Sequence, residues 1–187
     1  MIADRQMHLL LELLHCEDGV YEYGEFEKVS GIDGTNFGFY MQLKSADQIF
    51  FEIKYTENGF GKVQDSEKYQ RKYEEVYKEQ LAGKIRPGVD EYSILPDNYQ
   101  LLRNISNVDA QRDDLLIIIC PKGNGKLHQE FEYVMDHVVV PDLHEKIRLL
   151  TWETILRGLA STIEHSPNVP SRFVDHYVQF GQKYLFS

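Results

Sequence analysis

Asn36-Phe37-Gly38-Phe39-Tyr40-Met41-Gln42-Leu43, then Lys44-Ser45-Ala46-Asp47, then Gln48-Ile49-Phe50-Phe51-Glu52-Ile53-Lys54-Tyr55 decides how this chain is read. The first run sets Phe37, Phe39, Met41 and Leu43 at alternate positions, the period of a strand. Lys44 to Asp47 is polar turn chemistry. The last run is rich in β-branched and aromatic side chains and reads as the returning strand. Successive strand residues point to opposite faces. Phe51, Ile53 and Tyr55 therefore go one way, and Phe50, Glu52 and Lys54 the other. A hairpin is expected, ending in an acid and an amine on one face.

Outward from the hairpin the pattern turns helical. Residues 3–15 carry Met7, Leu10, Leu11 and Leu14 on one stripe, and Glu17-Asp18-Gly19 stops them. Val20 to Glu27 alternates loosely as a strand, and Gly31 to Gly34 is a turn. Asp65 to Leu81 reads as a helix through Tyr69, Tyr73, Val76, Tyr77 and Gln80. Gly83 ends it and Pro87-Gly88 marks a loop. Asp97 is the expected cap of a helix over 99–108. Leu115 to Cys120 is continuously apolar, as a strand buried on both faces would be. A helix over 126–137, a short strand over 146–150, a helix over 152–163 capped by Thr151, and a terminal helix over 170–186 follow. The order predicts one α/β domain over 1–187, a mixed sheet flanked by helices on both faces.

Composition sets the outer limits. The chain has 187 residues, and 12 Tyr with 10 Phe are too many for a disordered segment. The net charge of -10 argues against nonspecific coating of nucleic acid, which depends on Lys and Arg displacing counterions. It leaves room for a nucleic-acid enzyme with a local basic cleft. The two cysteines, Cys16 and Cys120, form no C-x-x-C pair, so a reducing cytoplasm is the expected compartment. The longest apolar run, Leu115 to Cys120, is too short to cross a bilayer, and no membrane partner is expected. The N-terminal stretch lacks the basic region and cleavage site of a signal peptide.

Glu52-Ile53-Lys54 carries the chemistry. Residues two apart on a strand share a face, roughly 7 Å apart along the backbone. A carboxylate offers hard oxygen to a divalent cation, and an ammonium orients water or steadies a phosphoryl charge. Phosphodiester hydrolysis needs both parts. On the tripeptide alone, a solvent-facing ion pair is the commoner outcome. The apolar neighbours Phe50, Phe51, Ile53 and Tyr55 point instead to a central strand, where charges are costly unless paired or metal-bound.

Thr35-Asn36-Phe37-Gly38-Phe39-Tyr40, the turn, Ile49 to Glu57 and Phe60-Gly61-Lys62 together resemble the PD-(D/E)XK nuclease superfamily. More narrowly they are similar to a bacterial branch of restriction-endonuclease-like proteins, with an EIKYTE-type strand after a TNFDF-type strand. Tyr99-Gln100-Leu101-Leu102-Arg103-Asn104 and Leu115 to Pro121 fit that branch too. The resemblance implies a restriction-endonuclease-like core that cuts DNA with Mg²⁺ or Mn²⁺. It places Glu52 as a metal ligand and Lys54 as the catalytic lysine. The family's first acid falls on Gly38, which has no carboxylate. If the turn has an odd number of residues, position 38 lies on the face of Glu52 and Lys54. Three explanations stand open. Asp33, in the Gly31–Gly34 turn, supplies the missing metal oxygen; or the chain is a degenerate member; or Gly38 is an inactivating change in an intact nuclease.

Around this pair, Lys62, Lys68, Arg71 and Lys72 concentrate positive charge as a DNA-backbone patch, with Lys78, Lys84 and Arg86 further on. Glu67, Glu74, Glu75 and Glu79 at salt-bridging intervals make a solvated helix face an equal reading. Arg103 and Asn104 reach a base or a phosphate, or finish a helix. Glu12, Gln70 and Tyr73 are weaker candidates, and the Tyr69, Tyr73, Tyr77 stripe reads first as core. The histidines lack zinc spacing. Lys122-Gly123-Asn124-Gly125-Lys126 lacks the phosphate-loop pattern and reads as a turn. Cys120 reads as a small buried hydrophobe. The leading expectation is a metal-dependent DNA endonuclease-like protein, impaired by Gly38. The rival is a catalytically inactive nuclease-fold interaction or nucleic-acid-binding domain. Restriction enzymes often pair to cut both strands, so a homodimer is also open.

Overall fold

A computed structural model of the chain describes residues 6–16, 19–64, 66–165 and 170–184. Its centre is a five-stranded sheet in the order β1-β2-β3-β4-β5, comprising β1 (Tyr21–Val29), β2 (Asn36–Leu43), β3 (Gln48–Ile53), β4 (Leu115–Cys120) and β5 (Ile147–Thr151). β1, β2 and β3 are antiparallel neighbours, whereas β3, β4 and β5 run parallel. The expected hairpin is present, with Phe39 opposite Phe51 and Tyr40 opposite Phe50. Parallel partners need a crossover, and the helical segments between β3 and β4 and between β4 and β5 supply it.

All six residues of β4 are buried. Leu116, Ile118 and Cys120 enter one core, and Leu115, Ile117 and Ile119 the other. That double burial explains a run with no polar residue. The first core packs under α2 (Glu67–Lys72), a π-helical stretch Tyr73–Tyr77, α3 (Lys78–Leu81), α4 (Glu91–Ile94), α5 (Tyr99–Ser106) and α6 (Gly125–His137). The second packs under α1 (Met7–Leu13), α7 (Trp152–His165) and α8 (Ser171–Tyr184). The chain is thus an α/β fold, a mixed sheet with helices on both faces. Among the described residues no helix is long and apolar enough to cross a membrane.

Several expected boundaries shift for visible reasons. The first helix is described from Met7; residues 3–5, the stop residues 17–18, and Asp65, the expected start of the next helix, lie outside the described residues. Ser66 caps α2, accepting from the Tyr69 N–H. Asp97 does not cap α5: it pairs with Lys62 at 3.0 Å, and Asn98 takes the cap position. α4 has only four residues, too few for periodicity to reveal, and Asp90 caps it. Thr151 caps α7 as expected, accepting from the Thr154 N–H at 3.1 Å. The last expected residues, 185–186, are also outside the described residues.

Candidate active site

Glu52 is the penultimate residue of β3, and Lys54 follows the strand. The Lys54 N–H still donates to the Ile119 carbonyl at 2.8 Å, so β4 holds it as though the strand continued. Strand alternation sends both side chains toward α5. They converge: Lys54 Nζ lies 3.1 Å from Glu52 Oε1. They stand at the carboxyl end of β3, beside the carboxyl end of parallel β4, where open α/β sheets commonly bind ligands.

Two residues of α5 close the arrangement: Gln100, to which the sequence reading gave no role, and Asn104, expected at a base, a phosphate or a helix end and found instead on Glu52. Gln100 Nε2 donates to Glu52 Oε1 at 2.7 Å, and Gln100 Oε1 accepts from Lys54 Nζ at 2.8 Å. The Gly61 N–H also donates to Gln100 Oε1, at 3.2 Å. One turn on, Asn104 Nδ2 donates to Glu52 Oε2 at 3.2 Å. Glu52 is 6% exposed and Lys54 3%. The pair is therefore a buried ion pair whose oxygens and ammonium are satisfied from within the protein, the condition for tolerating charge in a core. The available signal was the i, i+4 spacing of Gln100 and Asn104 among the apolar Leu101, Leu102 and Ile105. Asn104 Oδ1 is buried without a hydrogen-bond partner.

Continued by one residue, the β2–β3 register sets Gly38 opposite Glu52, and Gly38 brings no side chain to that position. The β2–β3 pairing ends at Phe39 and Phe51, short of Gly38. The atoms nearest a Cβ added at Gly38 belong to Ile53, at 3.4–3.5 Å, and not to Glu52. The cause is local. Phe37 packs into the α5-side core while Phe39 packs into the opposite one, so the facing of β2 reverses at Gly38. Beside it on β1, Glu27 takes a left-handed backbone, φ 53°.

Asp33 is engaged elsewhere. Its carboxylate accepts from the Thr35 N–H at 2.9 Å, the Thr35 hydroxyl at 2.6 Å and the Tyr77 hydroxyl at 3.1 Å. Tyr77 in turn meets the Tyr99 hydroxyl at 2.9 Å. Burial first, then the Tyr99 and Asp33 oxygens, raise Tyr77 far above the usual phenol range, which keeps it a proton donor.

The basic candidates divide. Lys68 and Arg71 are exposed on α2. Lys62 is exposed but paired with Asp97. Lys72 donates to the Asp33 carbonyl at 3.0 Å and lies over the Tyr77 ring at 5.4 Å. Arg103 is half-buried over the Tyr99 ring at 5.4 Å, and its Nε is buried without a partner. Tyr99 and Arg103 thus form a stripe of α5 beside that of Gln100 and Asn104. Glu12 is exposed on α1, Gln70 is exposed on α2, and Tyr73 is buried.

The comparisons enter here. The family model described as "Restriction Endonuclease associating with ARP" matches residues 3–185. The chain belongs to that family. No curated protein matches it. As a member of a restriction-endonuclease family, it joins a nuclease-like core to an acid–lysine pair on the central strand. Its residues fit a divalent ion poorly. Among the described residues no group of three or more His, Cys, Asp or Glu side chains could hold a metal. Glu52 already accepts from three nitrogen donors, and Mg²⁺ demands oxygen ligands in near-octahedral order.

Proposed function

We propose that this chain binds DNA as a PD-(D/E)XK-type protein whose phosphodiester-cleaving centre is built but incomplete. One observation carries the reading: both oxygens of Glu52 are taken by Lys54, Gln100 and Asn104, and Asp33 is held by Thr35 and Tyr77. A cleaving centre needs a carboxylate free for metal and a lysine free for water or phosphate. Here the two neutralise each other. DNA binding draws support from family membership, from Lys68 and Arg71 exposed on α2, and from Arg103 over Tyr99. The family's description also speaks of association with ARP.

A second reading, a working Mg²⁺- or Mn²⁺-dependent endonuclease, is favoured by the convergence of Glu52 and Lys54 at the carboxyl end of β3. In it, Gln100 yields to a phosphate and Lys54 Nζ turns to the scissile group. A homodimer that cuts both strands belongs to this reading.

Plasmid nicking with Mg²⁺ or Mn²⁺, measured beside fluorescence-anisotropy binding of duplex DNA, separates them. The wild type is expected to bind and not to nick. Lys54→Ala, with its fold checked by circular dichroism because it strands the buried Glu52 charge, is expected to bind equally well. Metal-dependent nicking by the wild type that Lys54→Ala abolishes would establish the second reading and remove the first.

A further inference from the structure

Tyr99 and Arg103 stand one turn apart on α5, and the Arg103 guanidinium lies over the Tyr99 ring at 5.4 Å. A chain of hydroxyls fixes the ring beneath it. The Asp33 carboxylate takes the Tyr77 proton at 3.1 Å, which leaves the Tyr77 oxygen to accept from the Tyr99 hydroxyl at 2.9 Å. The two rings also meet edge to face, with centroids 5.8 Å apart. Asp33 is anchored in turn, since its carboxylate accepts from Thr35 and its carbonyl from Lys72 Nζ. The Arg103 main chain is held as well. Its carbonyl accepts from the Ser106 hydroxyl at 2.7 Å and from Asn107 Nδ2 at 3.0 Å, and the Ser30 hydroxyl donates to Asn107. The segment from Ser30 to Thr35 thus braces both the ring under Arg103 and the helix end that carries it.

This scaffold holds an unanswered cation. Lys54 meets Glu52 and Gln100, Lys62 meets Asp97, Lys72 meets the Asp33 carbonyl and Lys84 the Ser106 carbonyl. Among the described residues the Arg103 guanidinium meets no carboxylate and donates no hydrogen bond, and its Nε is buried. Partly burying an unpaired charge is unfavourable, and a ring beneath it offsets only part of that cost. A guanidinium carries its N–H donors in a rigid planar fork that matches two oxygens of a phosphate. Stacking occupies a face of that plane and leaves the donors pointing out from its edge. One oxyanion would answer both the charge and the donors.

We infer that Arg103 is a preset site for one phosphate of the DNA backbone, and that Tyr99, braced by Tyr77 and Asp33, is the residue that positions it. This rests on the DNA-binding reading and deepens it. Asp33 then serves the site at a distance, through two tyrosines, and not as a metal ligand. The contact reads no base, because a phosphate carries no sequence information.

The test uses the full chain with EDTA present and a labelled duplex oligonucleotide, titrated by anisotropy over a series of NaCl concentrations. Arg103→Gln is expected to weaken binding about ten-fold, as loss of one charge-assisted contact does, and to reduce the salt slope by about 0.9. Tyr99→Leu keeps the arginine but removes the ring. It is expected to lose the same slope, and the double variant no more than either single one, because both changes remove one contact. Tyr99→Phe keeps the ring against Tyr77 and is expected to retain the slope. A purely structural role for Tyr99 would lower stability without moving the slope. NMR of the arginine Nε–H groups reads the wild type directly, with the Arg103 signal assigned by its loss in Arg103→Gln. That signal is expected to move on addition of duplex DNA. An unmoved signal at saturation, or an unchanged slope in Arg103→Gln, overturns the phosphate site and leaves DNA binding standing. Wild-type behaviour of Tyr99→Leu, or a Tyr99→Phe as weak as Tyr99→Leu, overturns positioning by the ring. A signal that moves with inorganic phosphate but not with DNA overturns the assignment to the DNA backbone. Failure of the wild type to bind the duplex at any salt concentration overturns both this site and the DNA-binding reading.

Discussion

At the scale of single residues, Glu52 and Lys54 pose a problem of charge before one of catalysis. Each is nearly dry, and each is satisfied only because the other and the α5 amides are there. Removing one partner strands a buried charge, which costs about 3–5 kcal/mol, whereas replacing both with apolar groups of similar volume is often neutral. Lys54→Met is therefore expected to lower unfolding stability by about that amount, and Glu52→Leu likewise. The double variant is expected to recover most of the loss. Urea melts of the four proteins give the coupling directly. Additive losses would mean that the two groups are stabilised independently, contrary to the close pairing. The pair was legible in the sequence because strand alternation is local and the neighbours are apolar. Gln100 was not, because its i, i+4 spacing with Asn104 marks a polar stripe on α5 without saying which strand residue, 48 positions away, it meets.

At the scale of elements, α5 is the lever of the site: it carries Gln100 and Asn104 on one stripe and Tyr99 and Arg103 on the next. Its C-terminal end is held from outside. Lys84, almost buried, donates to the Ser106 carbonyl at 2.8 Å and reaches the Ile105 carbonyl at 3.5 Å. The Ser106 carbonyl is one that a helix end leaves without an intrahelical partner, whereas the Ile105 carbonyl also accepts from the Val108 N–H at 3.1 Å. Burial pushes the Lys84 ammonium down to about 8, against the partial support of Asp109 and Asp114. The folded state therefore gives up this proton near pH 8 and the unfolded state only near 10.5. Between those values the unfolded chain binds more protons, so this group's contribution to stability rises with pH. The stability difference between wild type and Lys84→Met is expected to move in favour of the wild type from pH 7.5 to about 10. Urea midpoints at several pH values read it, and a flat difference would rule out a depressed Lys84. The elements themselves were largely legible. β4 announces itself by six apolar residues, because only a strand buried on both faces tolerates them. The π-helical stretch Tyr73–Tyr77 did not, since one extra residue in a turn barely disturbs the stripe of tyrosines. Nor did the reversal at Gly38, which depends on Phe37 and Phe39 choosing opposite cores.

At the scale of the whole molecule, the net charge of -10 works against any polyanion. DNA binding must then rest on a few local cations acting against a repelling body. Lys62 and Lys72 are partly spent on Asp97 and on the Asp33 carbonyl, which leaves Lys68, Arg71 and Arg103 to meet phosphates. Each neutralised phosphate of duplex DNA releases about 0.9 counterion equivalents into the salt dependence. Three contacts give a slope of about -3 for log affinity against log salt concentration, shallow for a DNA-binding protein. The Lys68→Gln/Arg71→Gln double variant is expected to reduce that slope by about 2 and to weaken duplex binding alike across sequences. Anisotropy titrations over a series of NaCl concentrations measure it. A wild-type slope near zero would mean that DNA is not held by its backbone. An unchanged slope in the double variant would move the contact surface off α2, to another part of the carboxyl rim.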